Sequence, residues 1–150
     1  MSGSVSVRAA GPDDAMIWAR LRTALWPEWP DDHPAEVASY FADPPDDASC
    51  FLVEDAGGEV MGFAEVGLRP FAEGCTTSPV AYLEGIYIEP GTRRAGAARA
   101  LVLACEAWAR SRGLTELASD RGLDNDESAA FHEAVGFDEV SRVVCYRKEL

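Results

Sequence analysis

The sequence has 150 residues, of which 47% are hydrophobic and 26% charged, ordinary values for a globular domain. This length predicts one domain, residues 1–150, that buries a core without disulfide or metal support. A net charge of −13 argues against nucleic acid and against an anionic membrane surface as partners, and no apolar run is long enough to span a bilayer. We therefore expect a cytoplasmic protein.

The cysteines and histidines form no metal-binding pattern. Cys50, Cys75, Cys105 and Cys145 are widely spaced without a C-x-x-C pair, and the chain has two histidines. A zinc site needs four such ligands at short, defined spacings. The sequence therefore predicts buried or half-buried free thiols and no bound metal.

The predicted elements follow the order of an α/β protein. An acidic pair at residues 13–14 opens the first helix, and Pro27 ends it. The Gly-Gly turn at residues 57–58 joins two strands in an antiparallel hairpin. A helix connects the strands at residues 81–88 and 114–119, which predicts a parallel pair. The predicted strands lie at residues 5–8, 50–53, 60–68, 81–88, 114–119, 137–140 and 143–148, and the predicted helices at residues 14–26, 34–42, 94–112 and 127–135.

One predicted strand places an acid among apolar side chains. With strict alternation and no bulge, Tyr82, Glu84, Ile86 and Ile88 share one face of that strand. Burying a carboxylate on such a face is costly unless the face opens to a ligand or to solvent. Glu84 is therefore a candidate site residue.

Two tryptophans lie on a loop that prolines keep irregular. The loop runs from Trp26 to Asp32 and holds Trp29, two prolines and three acids. Two interpretations stay open: the rings line a binding cleft, or they close one end of the core.

Charge is unevenly distributed along the chain. From Thr23 to Leu68 there are eleven acids and no Lys or Arg, whereas Arg93 to Arg112 holds five Arg and one acid. The first stretch suits a cationic ligand and the second an anionic one. The alternative for the acidic stretch is a solvated surface.

The basic stretch opens with the composition of an anion-binding loop. After the strand that ends near Ile88 come small residues and a helix whose first turn is Arg93-Arg94-Ala95-Gly96-Ala97-Ala98. Small residues let an anion approach the backbone N–H groups, and the helix N-terminus and the arginines supply positive charge. We infer a phosphate-binding loop, called here the cradle.

Two motifs make the chain similar to the GCN5-related N-acetyltransferase superfamily. The first, R/Q-x-x-G-x-G/A, is the cradle, and the second, N-x-x-A/S-x-x-F/L-Y-x-x-x-G-F, begins at Asn125 and ends at Phe137. Further blocks over nearly the whole chain resemble the type I aminoglycoside 6'-N-acetyltransferases of that superfamily. These blocks include Leu25-Trp26-Pro27, Gly62-Phe63-Ala64, Ser78-Pro79-Val80, Leu83-Glu84-Gly85-Ile86, Ala118-Ser119-Asp120 and Gly136-Phe137.

The resemblance implies a fold and two substrates. The fold is a central mixed, mostly antiparallel sheet with a splayed parallel pair of strands, flanked by helices. The substrates are acetyl-coenzyme A and a cationic aminoglycoside, which is acetylated at its 6'-amine. The helix start with its motif, the backbone edge of the preceding strand and the second motif supply the residues expected at the coenzyme: Ile86, Ile88, Arg93, Arg94, Gly96, Ala97, Ala98, Arg99, Asn125 and His132.

Acetyl transfer to an amine requires a group that accepts a proton from the ammonium. Glu84 and Asp120 are the candidates, because parallel neighbouring strands bring both to one cleft. The alternatives are a rim carboxylate for Glu84 and a turn cap for Asp120. His132 stands where the superfamily often has a tyrosine that protonates the coenzyme thiolate, and its alternative is a core hydrogen bond. The predicted substrate-binding residues are Trp26, Asp31, Asp32, Phe71, Glu84 and Asp120.

The predicted reaction is direct transfer in a ternary complex, without an acetylated enzyme. Two rivals stay open: an acetyltransferase for another amine, such as a polyamine or a peptide N-terminus, and a non-catalytic acyl-coenzyme A binding module. The resemblance also implies a homodimer formed through the C-terminal strands, to which residues 143–148 contribute.

Overall fold

A five-stranded sheet in the order β1-β2-β3-β4-β5 organises the computed structural model, which describes residues 3–92 and 96–150. Four α-helices flank the sheet, and within those ranges none of them is both long and apolar enough to cross a membrane. This architecture confirms the predicted fold class. The elements are β1 (Ser6–Ala9), α1 (Ala15–Leu25), α2 (Asp32–Ala42), β2 (Ala48–Glu54), β3 (Val60–Arg69), β4 (Val80–Ile88), α3 (Ala97–Ser111), β5 (Leu117–Ala118) and α4 (Asp126–Ala134).

The sheet is antiparallel except at its last pair of strands. β4 and β5 run parallel, and their ladder consists of two pairs, Ala81 with Leu117 and Tyr82 with Ala118. The strand predicted at residues 114–119 is therefore reduced to two residues. In the described part of the chain, no strand continues this ladder along β4 beyond Tyr82.

Helices cover both faces of the sheet. On one face α3 packs through Leu101 and Cys105 onto the strands. On the other face α1 and α2 pack through Leu21 and Val37 onto Leu52 of β2. Both cores draw on residues that are essentially inaccessible to solvent, so the strand ends are held in a rigid frame.

A bulge at Glu84 corrects the alternation predicted for β4. Glu65 of β3 pairs with Gly85 and Val66 pairs with Leu83, so Glu84 is an extra residue without a partner in that ladder. The extra residue shifts the alternation of side chains along β4 by one position. As a result Leu83, before the bulge, and Ile86 and Ile88, after it, all join the α3 core. Glu84 thus leaves the apolar face, and its carboxylate is exposed rather than buried among Ile side chains.

A partly buried ion pair holds α1 to the sheet. Arg22 Nη1 donates to both oxygens of Glu65 at 2.6 and 2.7 Å, and Trp18 Nε1 donates to the same carboxylate at 3.0 Å. Burial raises the pKa of Glu65, while the charge of Arg22 acts in the opposite direction. Arg22 Nε also donates to His33 Nδ1 at 3.3 Å, and His33 Nε2 in turn donates to Trp26 O at 2.8 Å. This network fixes the start of the tryptophan loop.

The last two predicted strands are wrong for the single chain. Residues 137–140 and 143–148 form neither strand nor helix, because no described strand lies beside them to share backbone hydrogen bonds. The segment remains exposed, at 72% for Val144 and 93% for Tyr146. Cys145, predicted as a buried or half-buried thiol, is exposed as part of this segment.

Candidate active site

The two candidate carboxylates are connected through an arginine and a tyrosine. Arg69, the last residue of β3, donates to both oxygens of Glu84 at 2.8 and 2.6 Å. Its guanidinium carbon lies 3.5 Å from the centre of the Tyr82 ring, and the Tyr82 hydroxyl donates a short hydrogen bond to Asp120. A cation therefore already lies between Glu84 and the Tyr82–Asp120 pair.

The electrostatics of this group keep Tyr82 protonated. Burial and the hydrogen bond to Asp120 both raise the pKa of Tyr82. The hydrogen bond to Glu84 raises the pKa of Arg69, which stays charged. Tyr82 is thus a hydrogen-bond donor, and one oxygen of Asp120 is occupied by it.

Glu84 also lines an acidic cavity of about 340 Å³ between the sheet, α1 and α2. Three further carboxylates, those of Glu36, Asp47 and Glu65, lie in its wall, and Arg22 partly neutralises them through Glu65 and Glu36. An excess of carboxylates over cations attracts a positively charged ligand.

Trp26 lies directly on the bulge that carries Glu84. A β-carbon added to Gly85 would lie 2.5 and 2.6 Å from the Trp26 indole. The Arg22 guanidinium carbon lies 5.1 Å from the indole centre, and the His33 ring is stacked at 6.2 Å. The ring is therefore positioned next to Glu84, and it also packs on Phe63 of the core. The interpretation that this loop closes one end of the core therefore holds for Trp26. The interpretation that its rings line a binding cleft stays a prediction.

The other predicted substrate residues lie at the periphery. Asp31 and Asp32 are exposed at the start of α2, and neither lines the acidic cavity. Phe71 is 64% exposed on the segment between β3 and β4. The structure thus brings Glu84, Asp120 and Trp26 together and leaves these three side chains outside the group.

The described part of the cradle has the geometry of an anion-binding helix start. Gly96 precedes α3 with φ 77°, and a β-carbon there would meet no atom of the described residues within 4 Å. The first N–H groups of α3, which include those of Ala97, Ala98 and Arg99, have no intrahelical acceptor. These residues fit a pyrophosphate. Arg93 and Arg94 lie outside the described residues.

Two further coenzyme residues have defined places. Ile86 and Ile88 lie on β4 beyond the point where the ladder with β5 ends. Asn125 is the N-cap of α4, and its side-chain oxygen accepts from the Ser128 backbone N–H at 3.0 Å. The cap oxygen of Asn125 is therefore used inside the protein, and its amide NH₂ group is the part that a ligand would meet.

His132 bridges α4 and the end of β5. Its Nε2 atom lies 2.7 Å from Ser119 Oγ, and its Nδ1 atom lies 2.7 Å from the Ser128 carbonyl oxygen. The rings of Phe131 and Phe137 pack edge-on against it at 5.1 Å. The alternative interpretation, that His132 makes hydrogen bonds inside the protein, therefore holds, and its predicted role at the coenzyme stays a prediction. One of these bonds joins Ser119, just past the last residue pair of the β4–β5 ladder. The place where that ladder has ended is called here the β4–β5 gap.

Comparison with known proteins identifies the family. The acetyltransferase (GNAT) family profile matches residues 18–137. The chain belongs to the acetyltransferase (GNAT) family. It is 43% identical to the aminoglycoside N(6')-acetyltransferase type 1 of Klebsiella aerogenes, with 100% of each chain covered. The resemblance inferred from the motifs is therefore confirmed.

Solved structures of this family agree in fold. The aminoglycoside 6'-N-acetyltransferase AAC(6')-Ih from Acinetobacter baumannii superposes with a TM-score of 0.90 at 34% identity, covering 98% of this chain and 99% of the other. AAC(6')-Iy, solved with the bisubstrate analogue CoA-S-monomethyl-acetylneamine, gives a TM-score of 0.90 at 36% identity over the same shares. A coenzyme A moiety thus binds to a protein of this fold and family.

Sequence reasoning missed Arg69, Tyr82 and Ser119 as parts of this GNAT site. Arg69 is the first basic residue after the acidic stretch, and that position in the sequence is the signal for it. Tyr82 was assigned to the strand face without a role. Ser119 belongs to the block Ala118-Ser119-Asp120, and nothing in the sequence shows that it contacts His132.

The contact between Gly85 and Trp26 gives a prediction for stability. Gly85→Ala should lower the free energy of unfolding by about 1–3 kcal/mol, because the new methyl group overlaps the indole. Urea denaturation of the variant and the wild type measures this difference.

Gly67→Ala is the matched control, since a β-carbon at Gly67 on β3 would have its nearest atoms at 3.4 and 3.7 Å. In a Trp26→Ala background, Gly85→Ala should lower the free energy of unfolding by much less than it does in the wild type, because the indole that the new methyl group overlaps is absent. Equal urea midpoints for Gly85→Ala and wild type would contradict the overlap.

Proposed function

We propose that the protein transfers acetyl from acetyl-coenzyme A to the 6'-amine of aminoglycosides, and that this reaction confers resistance to those antibiotics. The observation that carries the proposal is the group beside the last residue pair of the β4–β5 ladder, where Glu84, Arg69, Tyr82 and Asp120 form one chain of contacts. A site that holds a guanidinium between two carboxylates suits an ammonium. The relatives described above carry the name of this activity.

The carboxylates bind the amine and remove its proton. An ammonium has no lone pair, so it must lose a proton before it attacks the thioester. Asp120 accepts that proton, directly or through water, while the Tyr82 hydroxyl holds one oxygen of Asp120 in place. Glu84 contacts the ammonium from the bulge on the neighbouring strand and balances its charge.

Residues of this chain hold the coenzyme on the other side of the gap. Acetyl-coenzyme A, when bound, supplies the acetyl group as a thioester. The cradle, with Arg93, Arg94, Gly96, Ala97, Ala98 and Arg99, binds the pyrophosphate. The pantetheine arm pairs with the edge of β4 at Ile86 and Ile88, where the two-residue ladder with β5 has already ended. Asn125 and His132 flank the arm from α4.

Direct transfer, without an acetylated enzyme, agrees with the protonation state of Cys75, which packs against the cluster that contains Tyr82. Burial, together with the charge of Glu116, raises the pKa of Cys75 and disfavours the thiolate that a nucleophile requires. The other thiols are buried at Cys50 and Cys105 or lie on the exposed C-terminal segment at Cys145. Four unpaired thiols also agree with a reducing compartment, and we place the protein in the cytoplasm.

The acidic cavity suits the remaining ammonium groups of the antibiotic. Glu36 and Asp47 lie in the same wall as Glu84, so a polycation anchored at Glu84 extends towards them. Trp26 offers an apolar ring beside the bulge on which a sugar face packs. Asp31, Asp32 and Phe71, at the periphery, contact the parts of the antibiotic that project from the cavity. A polyamine or a peptide N-terminus would use the carboxylates but would not need the ring.

Replacing each carboxylate should separate its role. Asp120→Asn should lower kcat by a factor on the order of 100 or more, because the proton acceptor is lost, while the Kd of acetyl-coenzyme A stays unchanged. Glu84→Gln should raise the KM of a kanamycin-type substrate and also lower kcat, since it weakens ammonium binding. Thiol release and calorimetry measure these quantities.

Glu59→Gln is the matched control, because it removes one negative charge from the exposed hairpin turn between β2 and β3. Antibiotics with and without a 6'-amine supply the substrate comparison. Equal turnover of both kinds would reject the 6'-position, and coenzyme binding without turnover of any amine would favour a non-catalytic module.

We also propose that two copies form a homodimer through residues 137–150. Val140, Val143, Val144 and Tyr146 are between 57% and 93% exposed, and the segment shares no strand ladder within the described chain. A β-branched segment of this kind gains both backbone hydrogen bonds and apolar burial by pairing with a second copy.

The dimer should have about twice the chain mass of 16.2 kDa in light scattering after size exclusion. Replacing both Val143 and Val144 by lysine should shift the protein to the monomer, because two charges would enter the interface. A wild-type protein of single-chain mass would reject this proposal.

A further inference from the structure

We infer that Ser119 is the group that gives a proton to the departing sulfur of the coenzyme, and that His132 supplies that proton to Ser119. The inference rests on the proposed function, in which the thioester lies between the ends of β4 and β5. It gives the reaction a proton donor on one face of β5 and keeps the proton acceptor, Asp120, on the other.

The alternation along β5 separates the two groups. Leu117 packs against the α3 core, whereas Ala118 packs against Val80 and Tyr82 on the opposite side of the sheet. The next two residues continue this alternation: Ser119 contacts His132 of α4, and Asp120 contacts Tyr82. Proton removal from the amine and proton delivery to the sulfur thus take place on opposite faces of one strand end.

Hydrogen bonding shows the direction in which His132 can act. Nδ1 lies 2.7 Å from the Ser128 carbonyl, and because a carbonyl oxygen only accepts, Nδ1 carries a proton. In the neutral ring Nε2 therefore accepts from the Ser119 hydroxyl at 2.7 Å. In the charged ring Nε2 donates to Ser119 Oγ, and the hydroxyl proton is released to point into the gap.

The polar contacts of the ring direct Nε2 to Ser119. All of them are with oxygens that can accept: Ser119 Oγ at 2.7 Å, the Ser128 carbonyl at 2.7 Å and Ser128 Oγ at 3.2 Å. Since Nε2 faces Ser119, a proton that leaves this nitrogen passes through the serine.

The proton count closes over the whole transfer when both protons that the ammonium nitrogen loses are included: Asp120 accepts the first before attack, and water accepts the second as the amide forms. The C–N bond forms and the C–S bond breaks, so the sulfur leaves with the electron pair of that bond. The Ser119 O–H proton moves to the sulfur while the Nε2–H proton of His132 moves to Ser119 Oγ, which gives a thiol, a neutral serine and a neutral histidine. A serine hydroxyl alone is a weak acid, so its proton must be replaced in the same step. His132 regains its proton from water before the next turnover.

The test compares Ser119→Ala, Ser119→Thr and wild type in single-turnover acetyl transfer and in coenzyme A binding by calorimetry. Ser119→Ala should lower the single-turnover rate by about 100-fold, the lower end of the range for general acid catalysis, with little change in the coenzyme Kd. Ser119→Thr, which keeps a hydroxyl, should recover most of the rate. His132→Ala should cause a similar loss alone and about a threefold loss or less in the Ser119→Ala background, because the two groups act in series.

A matched control removes the other hydroxyl near the ring. Ser128→Ala deletes the Oγ on the Nδ1 side and keeps the backbone carbonyl, so the loss in rate should be at most about threefold. In coenzyme-free protein, ¹⁵N spectra of the imidazole should show a proton on Nδ1 in both wild type and Ser119→Ala, and a shift of the Nε2 resonance in the variant. A proton on Nε2 alone in the neutral ring would overturn the assigned direction.

The outcomes distinguish this inference from the proposed function. Wild-type rates in Ser119→Ala, on any amine that the protein acetylates, would overturn the relay and leave the acetyltransferase function in place. Loss of rate in Ser119→Thr equal to that in Ser119→Ala would also overturn it, since the hydroxyl would then not be the important group. If the wild-type protein acetylated none of the amines tested, both the relay and the proposed acetyltransferase function would be overturned.

Discussion

The parallel ladder between β4 and β5 consists of two residue pairs, and the arrangement of the site depends on its early end. Tyr82 and Ala118 are its last pair, so the following residues of the two strands are not tied to each other. On β4 these are the bulge at Glu84 and the edge that carries Ile86. On β5 they are Ser119 and Asp120. A longer ladder would satisfy these backbone groups internally and leave no edge for a ligand to pair with.

Side-chain direction at this gap is set by two local irregularities. The bulge moves Glu84 off the apolar face and returns Ile86 to the α3 core. A charged side chain and a core side chain therefore lie only two positions apart on the same strand. On β5, alternation sends Asp120 towards Tyr82 and Ser119 towards His132. The carboxylate of Asp120 and the proposed proton donor Ser119 therefore lie on opposite faces, and each forms a hydrogen bond with a neighbouring element.

The partly buried pair of Arg22 and Glu65 gives the site its second wall. It holds α1 on β3, and through His33 it holds the Trp26 loop against Gly85. Because separating the pair would leave a largely desolvated carboxylate without its partner, the pair stabilises this position of the wall. The tryptophan ring is consequently a fixed border of the site beside Glu84.

The sequence by itself determined the family and those elements whose ends depend on local signals. The cradle and the Asn125 to Phe137 motif depend on local spacing, and the helix ends at Pro27 and the hairpin at residues 57–58 depend on backbone preferences that need no distant partner. The prediction that Glu84 and Asp120 lie near one cleft needed only the inference that their two strands are parallel neighbours. Tertiary structure decided the rest. The bulge depends on the register with β3, the Arg69–Tyr82 contact joins the ends of two strands, and the Ser119–His132 bond joins a strand to a helix. The two strands predicted at residues 137–140 and 143–148 are absent from the described chain, because a strand forms only where a neighbouring strand completes its hydrogen bonds.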